Sequence, residues 1–84
     1  MPSKLRVSSG QKVHILAHRI DAVARRNASG RAIQRLINRM RQHEAQNVTY
    51  TAVLGYLARF TGLVYVYDEN GTRYKVHHTD VIRA

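Results

Sequence analysis

The chain has 84 residues, enough for one domain but too few for a second independent core. It contains no cysteine, which excludes a disulfide-stapled secreted scaffold and a thiolate metal site. The formal net charge is +9 and no long apolar run occurs, so we expect a cytoplasmic protein with a polyanionic partner and no membrane span.

The positive charge lies in the first half of the chain. Residues 1–43 carry ten Lys/Arg and a single acid, a net of +9, whereas residues 44–84 carry four residues of each sign. Eleven of the fourteen bases are Arg, whose planar guanidinium suits phosphate oxygens and base edges better than the Lys ammonium does. This asymmetry favours recognition of a nucleic acid.

The first predicted elements are an arm and a helix. Residues 1–10 are expected to form a flexible or strand-forming basic arm, and residues 11–84 a single helical domain with a C-terminal hairpin. Apolar residues from Val13 to Ala24 recur at helical spacing, which predicts a helix over 11–26.

A second helix is predicted over residues 31–44, after the turn and capping residues of positions 27–30. Opposite its apolar stripe, Arg31, Arg35 and Arg39 fall at i, i+4 and i+8, and we call these three residues the arginine ridge. Neighbouring like charges repel one another on a helix, so the ridge indicates a polyanionic partner rather than a solvated surface.

A third helix is predicted from Asn47 or Thr49 to Phe60. Its outer side carries small residues, including Gly55, which is unfavourable in a helix and indicates a close neighbour. That exposed small face leaves a homodimer open as a possibility.

A β-hairpin over residues 63–76 is the clearest local signal, because two alternating runs flank Asn70-Gly71. A two-residue type I′ turn at this pair predicts that Tyr67 faces Tyr74 and that Tyr65 faces Val76. The resulting tyrosine-rich face is interpreted as core against the helices, with stacking on unpaired bases as the alternative.

The expected fold is therefore α+β, three helices followed by a C-terminal β-hairpin. This order resembles a winged helix-turn-helix, in which the third helix enters the major groove of DNA. The third predicted helix carries a single base, Arg59, so the predicted nucleic-acid site is centred on the arginine ridge instead. The predicted nucleic-acid-binding residues are Arg25, Arg26, Arg31, Arg35, Arg39, Arg41, Arg19, Arg59, Arg73 and Lys75.

The main functional hypothesis is a non-enzymatic DNA-binding transcriptional regulator, with DNA preferred to RNA as the partner and no cofactor. An alternative is a small phage or mobile-element protein that inhibits a host protein such as the transcription machinery, with Gly55, Tyr65 and Tyr67 as candidate contacts. A third is a metal-free ribonuclease toxin, whose candidate residues are Tyr74, Lys75, His77 and His78. The pair His14 and His18, at i and i+4 on the first predicted helix, has a spacing that can hold zinc, but no cysteine joins it and neighbouring cations oppose a metal ion, so no metal site is predicted.

Overall fold

Five short strands form one antiparallel sheet in the computed structural model, which describes residues 4–84. The strands are β1 (Lys12–Ile15), β2 (Tyr50–Val53), β3 (Leu63–Tyr67), β4 (Arg73–His77) and β5 (Val81–Arg83). Their spatial order is β4-β3-β2-β1-β5. The predicted α+β class is confirmed.

The helices interrupt this sheet at two points in the chain. Between β1 and β2 lie α1 (Ile20–Asn27) and α2 (Ala32–Ala45), and a single helical turn, α3 (Ala58–Thr61), precedes β3. Short 3₁₀ turns occupy Ala17–Arg19 and His78–Asp80. Among the described residues no helix is long and apolar enough to cross a membrane.

One face of the sheet forms the core together with α1 and α2. Strand residues alternate between buried and more exposed positions, as expected for a sheet that is covered on one side. The buried strand residues are Val13, Ile15, Tyr50, Ala52, Val64, Val66, Tyr74, Val76 and Val81, which meet Ile20, Val23, Ala24, Leu36, Ile37 and Met40 from the helices. The opposite face, called the outer face below, is open to solvent.

The sheet must curl, because its two edge strands are joined by a very short connection. Only His78–Asp80 separate β4 from β5, and four residue steps reach about 14 Å at most. In a flat sheet of five strands the two edge strands, here β4 and β5, would lie about 19 Å apart. The edges therefore bend toward one another, and a 3₁₀ turn bridges them.

Asp80 stabilises this short connection between β4 and β5. Its side chain is fully buried and accepts hydrogen bonds from Arg19 Nε at 2.7 Å and from Arg26 Nη1 at 2.9 Å. The backbone N–H of His77 donates to the same carboxylate at 2.9 Å, and Leu16 N–H donates to the Asp80 carbonyl. Burial acts to raise the pKa of Asp80, but these hydrogen bonds outweigh it and hold the pKa below its ordinary value of 3.8.

Asn27 covers the free edge of the sheet. Its amide nitrogen donates to the Lys75 carbonyl at 2.8 Å, and its oxygen accepts the Lys75 N–H at 2.7 Å. The side chain thus takes the place of a neighbouring strand along part of β4, which blunts an edge that would otherwise be open to pairing.

The predicted second helix is confirmed within one residue at each end, the first is confirmed only in its C-terminal part, and the third was largely wrong. Residues 12–15 form β1 and residues 50–53 form β2, so the predicted helix over 11–26 is helical only from Ala17 onward. In both segments alternate residues are buried against distant strands, and this tertiary pairing overrides the local helical spacing. Three helices followed by a hairpin, and the winged-helix arrangement, are therefore not confirmed.

The hairpin is confirmed, but its turn differs from the prediction. Gly71 has a φ of 80°, whereas Asn70 lacks the positive φ that a type I′ turn requires. Gly71 N–H donates to the Asp68 carbonyl, and the Asp68 carboxylate accepts from the N–H groups of Asn70 and Thr72. This three-residue loop shifts the register by one residue.

The shift reverses the faces of the β4 side chains relative to the predicted pairing. Tyr65 pairs with Lys75, Tyr67 with Arg73, and Tyr74 with Val66. Only Tyr74 joins the core, where its ring lies 6.0 Å from that of Tyr50 in an edge-on arrangement. The tyrosines Tyr65 and Tyr67 lie on the outer face, so their predicted core position was wrong.

Replacing Asp80 by Asn should lower the free energy of unfolding at pH 7 by about 2–4 kcal/mol, because two guanidinium groups lose the charge that binds them. The carboxylate's contribution is complete above its unfolded pKa near 3.8 and is lost as pH falls through the lower folded value. Urea unfolding at several pH values should therefore show a shallower acid-side loss in Asp80→Asn than in the wild type.

Asp21→Asn is the matched control, because Asp21 also pairs with an arginine, Arg41, but both side chains are more than half exposed. We expect this variant to change stability by less than about 1 kcal/mol. Equal effects of the two substitutions would contradict the role given to Asp80.

Candidate nucleic-acid interface

The outward half of α2 is rich in groups that bind nucleic acid. Its exposed residues of this kind, together with the N-cap, are Arg31, Gln34, Arg35, Asn38, Arg39, Arg41 and Gln42. The single acid of the helix, Glu44, lies toward the sheet and lines a small cavity with Met40 and Tyr50. Arginine, asparagine and glutamine are the side chains that most often hydrogen-bond base edges and phosphates.

The arginine ridge has no carboxylate partner within the part of the chain that the structure describes. Its members are all exposed, and their spacing places them on successive turns of one helix face. Repulsion between each neighbouring pair of these arginines destabilises the helix by about 0.2–0.5 kcal/mol. A bound polyanion would remove this repulsion.

A groove between α2 and β4 extends the ridge. Arg35, Arg39 and Arg73 all line it, together with Leu36 and Tyr74. Burial raises the pKa of the Tyr74 hydroxyl, while the nearby Arg39 guanidinium acts in the opposite direction. The fold thus brings Arg73 of the hairpin next to the ridge, although 34 residues separate it from Arg39 in the sequence.

Three of the predicted binding arginines have other partners. Arg19 and Arg26 bind the buried carboxylate of Asp80 and so belong to the fold. Arg41 pairs with Asp21 at 3.1 Å, where both groups are largely solvated. The sequence did not reveal these ion pairs, because each acid lies 20 or more residues away from its arginine along the chain.

The remaining predicted residues lie at separate places on the surface. Arg25 is exposed on α1, and Arg59 lines a cavity with Lys4 and Ser8. Lys75 and Arg73 project from β4 onto the outer face. The ten predicted residues therefore do not form one cluster.

On the outer face, cations surround Tyr65. The guanidinium carbon of Arg73 lies 4.5 Å from the centre of the Tyr65 ring, and Lys75 Nζ lies 5.9 Å from it. This is the geometry of a cation–π interaction, in which the ring attracts both cations. Arg73 therefore touches both the outer face and the groove beside α2.

A second groove, the apolar groove, opens beside Tyr65. Its lining residues are Gly55, Tyr56, Leu57, Ala58, Thr61, Leu63, Tyr65 and Lys75, and it has a volume of about 320 Å³. Of the three candidate protein contacts, Gly55 and Tyr65 share this groove and Tyr67 does not line it. The reason given for a homodimer, a small face on a long third helix, is lost because residues 50–53 are a strand.

Among the ribonuclease candidates the rings of His77 and His78 adjoin at 4.6 Å, but the four residues do not share one face. His14 lies on β1 with its Nδ1 3.0 Å from the Val48 carbonyl, so it does not share a helix with His18. Tyr74 and Lys75 project from opposite faces of β4. Burial lowers the pKa of His78, whose Nδ1 accepts the Arg6 N–H, and no cluster of three His, Asp or Glu able to hold a metal occurs within residues 4–84.

Comparison with known proteins gives no match, either among protein-family models, among curated proteins or among solved structures.

Replacement of an arginine that binds Asp80 should lower the free energy of unfolding more than replacement of an arginine of the ridge. Arg26→Gln should destabilise the protein by about 1–3 kcal/mol, because it removes a charged hydrogen bond to a buried carboxylate. Arg35→Gln should change stability by less than about 0.5 kcal/mol, since Arg35 is exposed and lacks an acidic partner among the described residues. Urea unfolding of the two variants measures the difference, and a larger effect at Arg35 would refute this division.

Proposed function

We propose that this protein binds nucleic acid through the outward half of α2. The observation that carries the proposal is the arginine ridge, three exposed guanidinium groups at the N-cap and on the first two turns of a 14-residue helix, with no acid on the same half. Arg73 of the adjacent strand lines the neighbouring groove with Arg35 and Arg39, while its guanidinium lies over the Tyr65 ring on the outer face. Such a surface supplies the phosphate contacts that dominate nucleic-acid affinity.

Duplex DNA suits the shape and chemistry of α2. The helix is about 21 Å long, and its outward half is exposed along that length, so it has the dimensions to lie in a major groove about 12 Å wide. Arginine pairs with guanine edges, and Asn38 or Gln42 with adenine edges. In this proposal α2 takes the role that the winged-helix resemblance assigned to the third helix, which is a single turn with one base.

Occupancy of DNA sites by a small protein alters access of the transcription machinery, and we propose transcriptional regulation in the cytoplasm as the consequence. The proposal requires no cofactor and no catalytic step. It is supported by the clustering of bases on one helix face and by the projection of Tyr74 and Lys75 from opposite faces of β4.

The proposal predicts steeply salt-dependent binding to duplex DNA. If about six bases engage phosphates, the logarithm of the binding constant should fall with the logarithm of the salt concentration with a slope near −5. The triple variant Arg31→Gln, Arg35→Gln, Arg39→Gln should lose at least about tenfold in affinity, and its slope should be shallower by about 3. Fluorescence anisotropy with a labelled random duplex measures both quantities.

The matched control is Lys4→Gln, Arg6→Gln, Arg83→Gln, which removes the same number of charges from exposed residues outside α2. This variant should bind more tightly than the ridge variant at every salt concentration. Equal losses in the two would show unspecific charge attraction and overturn the assignment to α2. Absence of wild-type binding at low salt would overturn the function itself, and cleaved nucleic acid on a gel would overturn the non-enzymatic part of the proposal.

A further inference from the structure

The apolar groove has aromatic and aliphatic walls and a cationic rim. Tyr56, Leu57 and Leu63 form its sides with Tyr65, and Lys75 is its one charged lining residue. Tyr56 is 90% exposed and Leu57 is 50% exposed, so their apolar atoms face solvent rather than the core. Exposed apolar groups that line a concave surface are typical of a binding site.

Gly55 lines this groove and has open space beside it. A side-chain carbon added at Gly55 would meet no atom within 4 Å, and the backbone there does not need the left-handed conformation that favours glycine. Nothing in the packing of the described residues therefore requires a glycine. Gly55 therefore lines the groove without contributing a side chain to it.

We propose that the apolar groove binds an unpaired nucleotide of the nucleic acid that α2 holds, so this inference rests on the proposed function. The base would stack against the tyrosine and leucine side chains, and the backbone phosphate would lie beside Lys75 and Arg73. Aromatic platforms flanked by cations are the general means by which proteins hold single strands. The volume of about 320 Å³ is in the range of small-ligand sites.

Charge complementarity favours this occupant over an apolar peptide. The groove has no acidic lining residue, and the cations of Arg73 and Lys75 both lie over the Tyr65 ring. An apolar peptide would use the walls but would leave these charges unmatched. A nucleotide combines a flat apolar face with an anionic backbone and matches both features.

Arg73 connects the apolar groove with α2. Its guanidinium lies on the Tyr65 ring, and the same residue lines the groove with Arg35 and Arg39. A strand that leaves the ridge and crosses β4 therefore meets cations along its path before it reaches Tyr65. The preferred ligand is accordingly a duplex with a single-stranded extension.

The test compares a blunt duplex of about two helical turns with the same duplex carrying an extension of about five thymidines or five uridines. The wild type should bind the extended duplex about tenfold more tightly, the value of one stacked base. Tyr65→Leu should abolish this gain and leave the affinity for the blunt duplex unchanged. A larger gain with uridine than with thymidine would identify RNA as the source of the unpaired nucleotide.

Two further variants make the test specific. Gly55→Leu should abolish the gain by filling the apolar groove, without removing any existing contact. Tyr67→Leu is the matched control, because Tyr67 lies on the outer face of the same strand but does not line the groove, and it should retain the gain. Thermal unfolding checks that each variant is folded.

The failures of the two proposals are distinguishable. If the wild type binds both duplexes equally, or if Tyr65→Leu and Gly55→Leu keep the gain, the inference is overturned while duplex binding through α2 stands. If the variants keep the gain, the apolar groove binds a different partner, such as a protein. If the wild type binds neither duplex, both proposals are overturned.

Discussion

The rest of the structure depends on the buried carboxylate of Asp80 and its two arginine partners. A connection of three residues joins strands at opposite edges of the sheet, and Asp80 ends this connection. Burying a carboxylate is costly unless cations and N–H groups replace water, and Arg19, Arg26 and the His77 N–H supply that replacement. The same contacts bind α1 to the curled sheet, so they stabilise both the closure of the sheet and the position of α1.

This arrangement divides the large positive charge between two roles. Arg19 and Arg26 share one buried acid, whereas the arginine ridge faces solvent on the next helix. A domain of this size has a net stability of only about 4–13 kcal/mol, so repulsion within an exposed ridge is a measurable fraction of it. A polyanion bound at α2 would relieve that repulsion. The ridge would then destabilise the free protein but not the nucleic-acid complex.

The outer face depends on the shape of one turn. Because the Asp68 carboxylate holds the backbone of Asn70 and Thr72 in a three-residue loop, Tyr74 faces the core and Arg73 and Lys75 face outward. A register change of one residue would exchange these faces and move Arg73 and Lys75 away from Tyr65. The proposed unpaired-nucleotide site therefore exists only in the observed register, and Arg73 links it to α2.

The sequence by itself determined the α+β class, the position of α2, the existence of the hairpin and the concentration of bases in the N-terminal half. These features depend on neighbours within a few residues: the apolar spacing of α2, and the Asn-Gly pair between alternating runs. Only the tertiary structure decided that residues 12–15 and 50–53 are strands, because short apolar segments fit either a helix or a strand until a partner pairs with them. It also decided which arginines are structural, since Asp80 is 61 residues from Arg19 and 54 from Arg26. A buried charge selects its partners by proximity in space, and the sequence does not show that proximity.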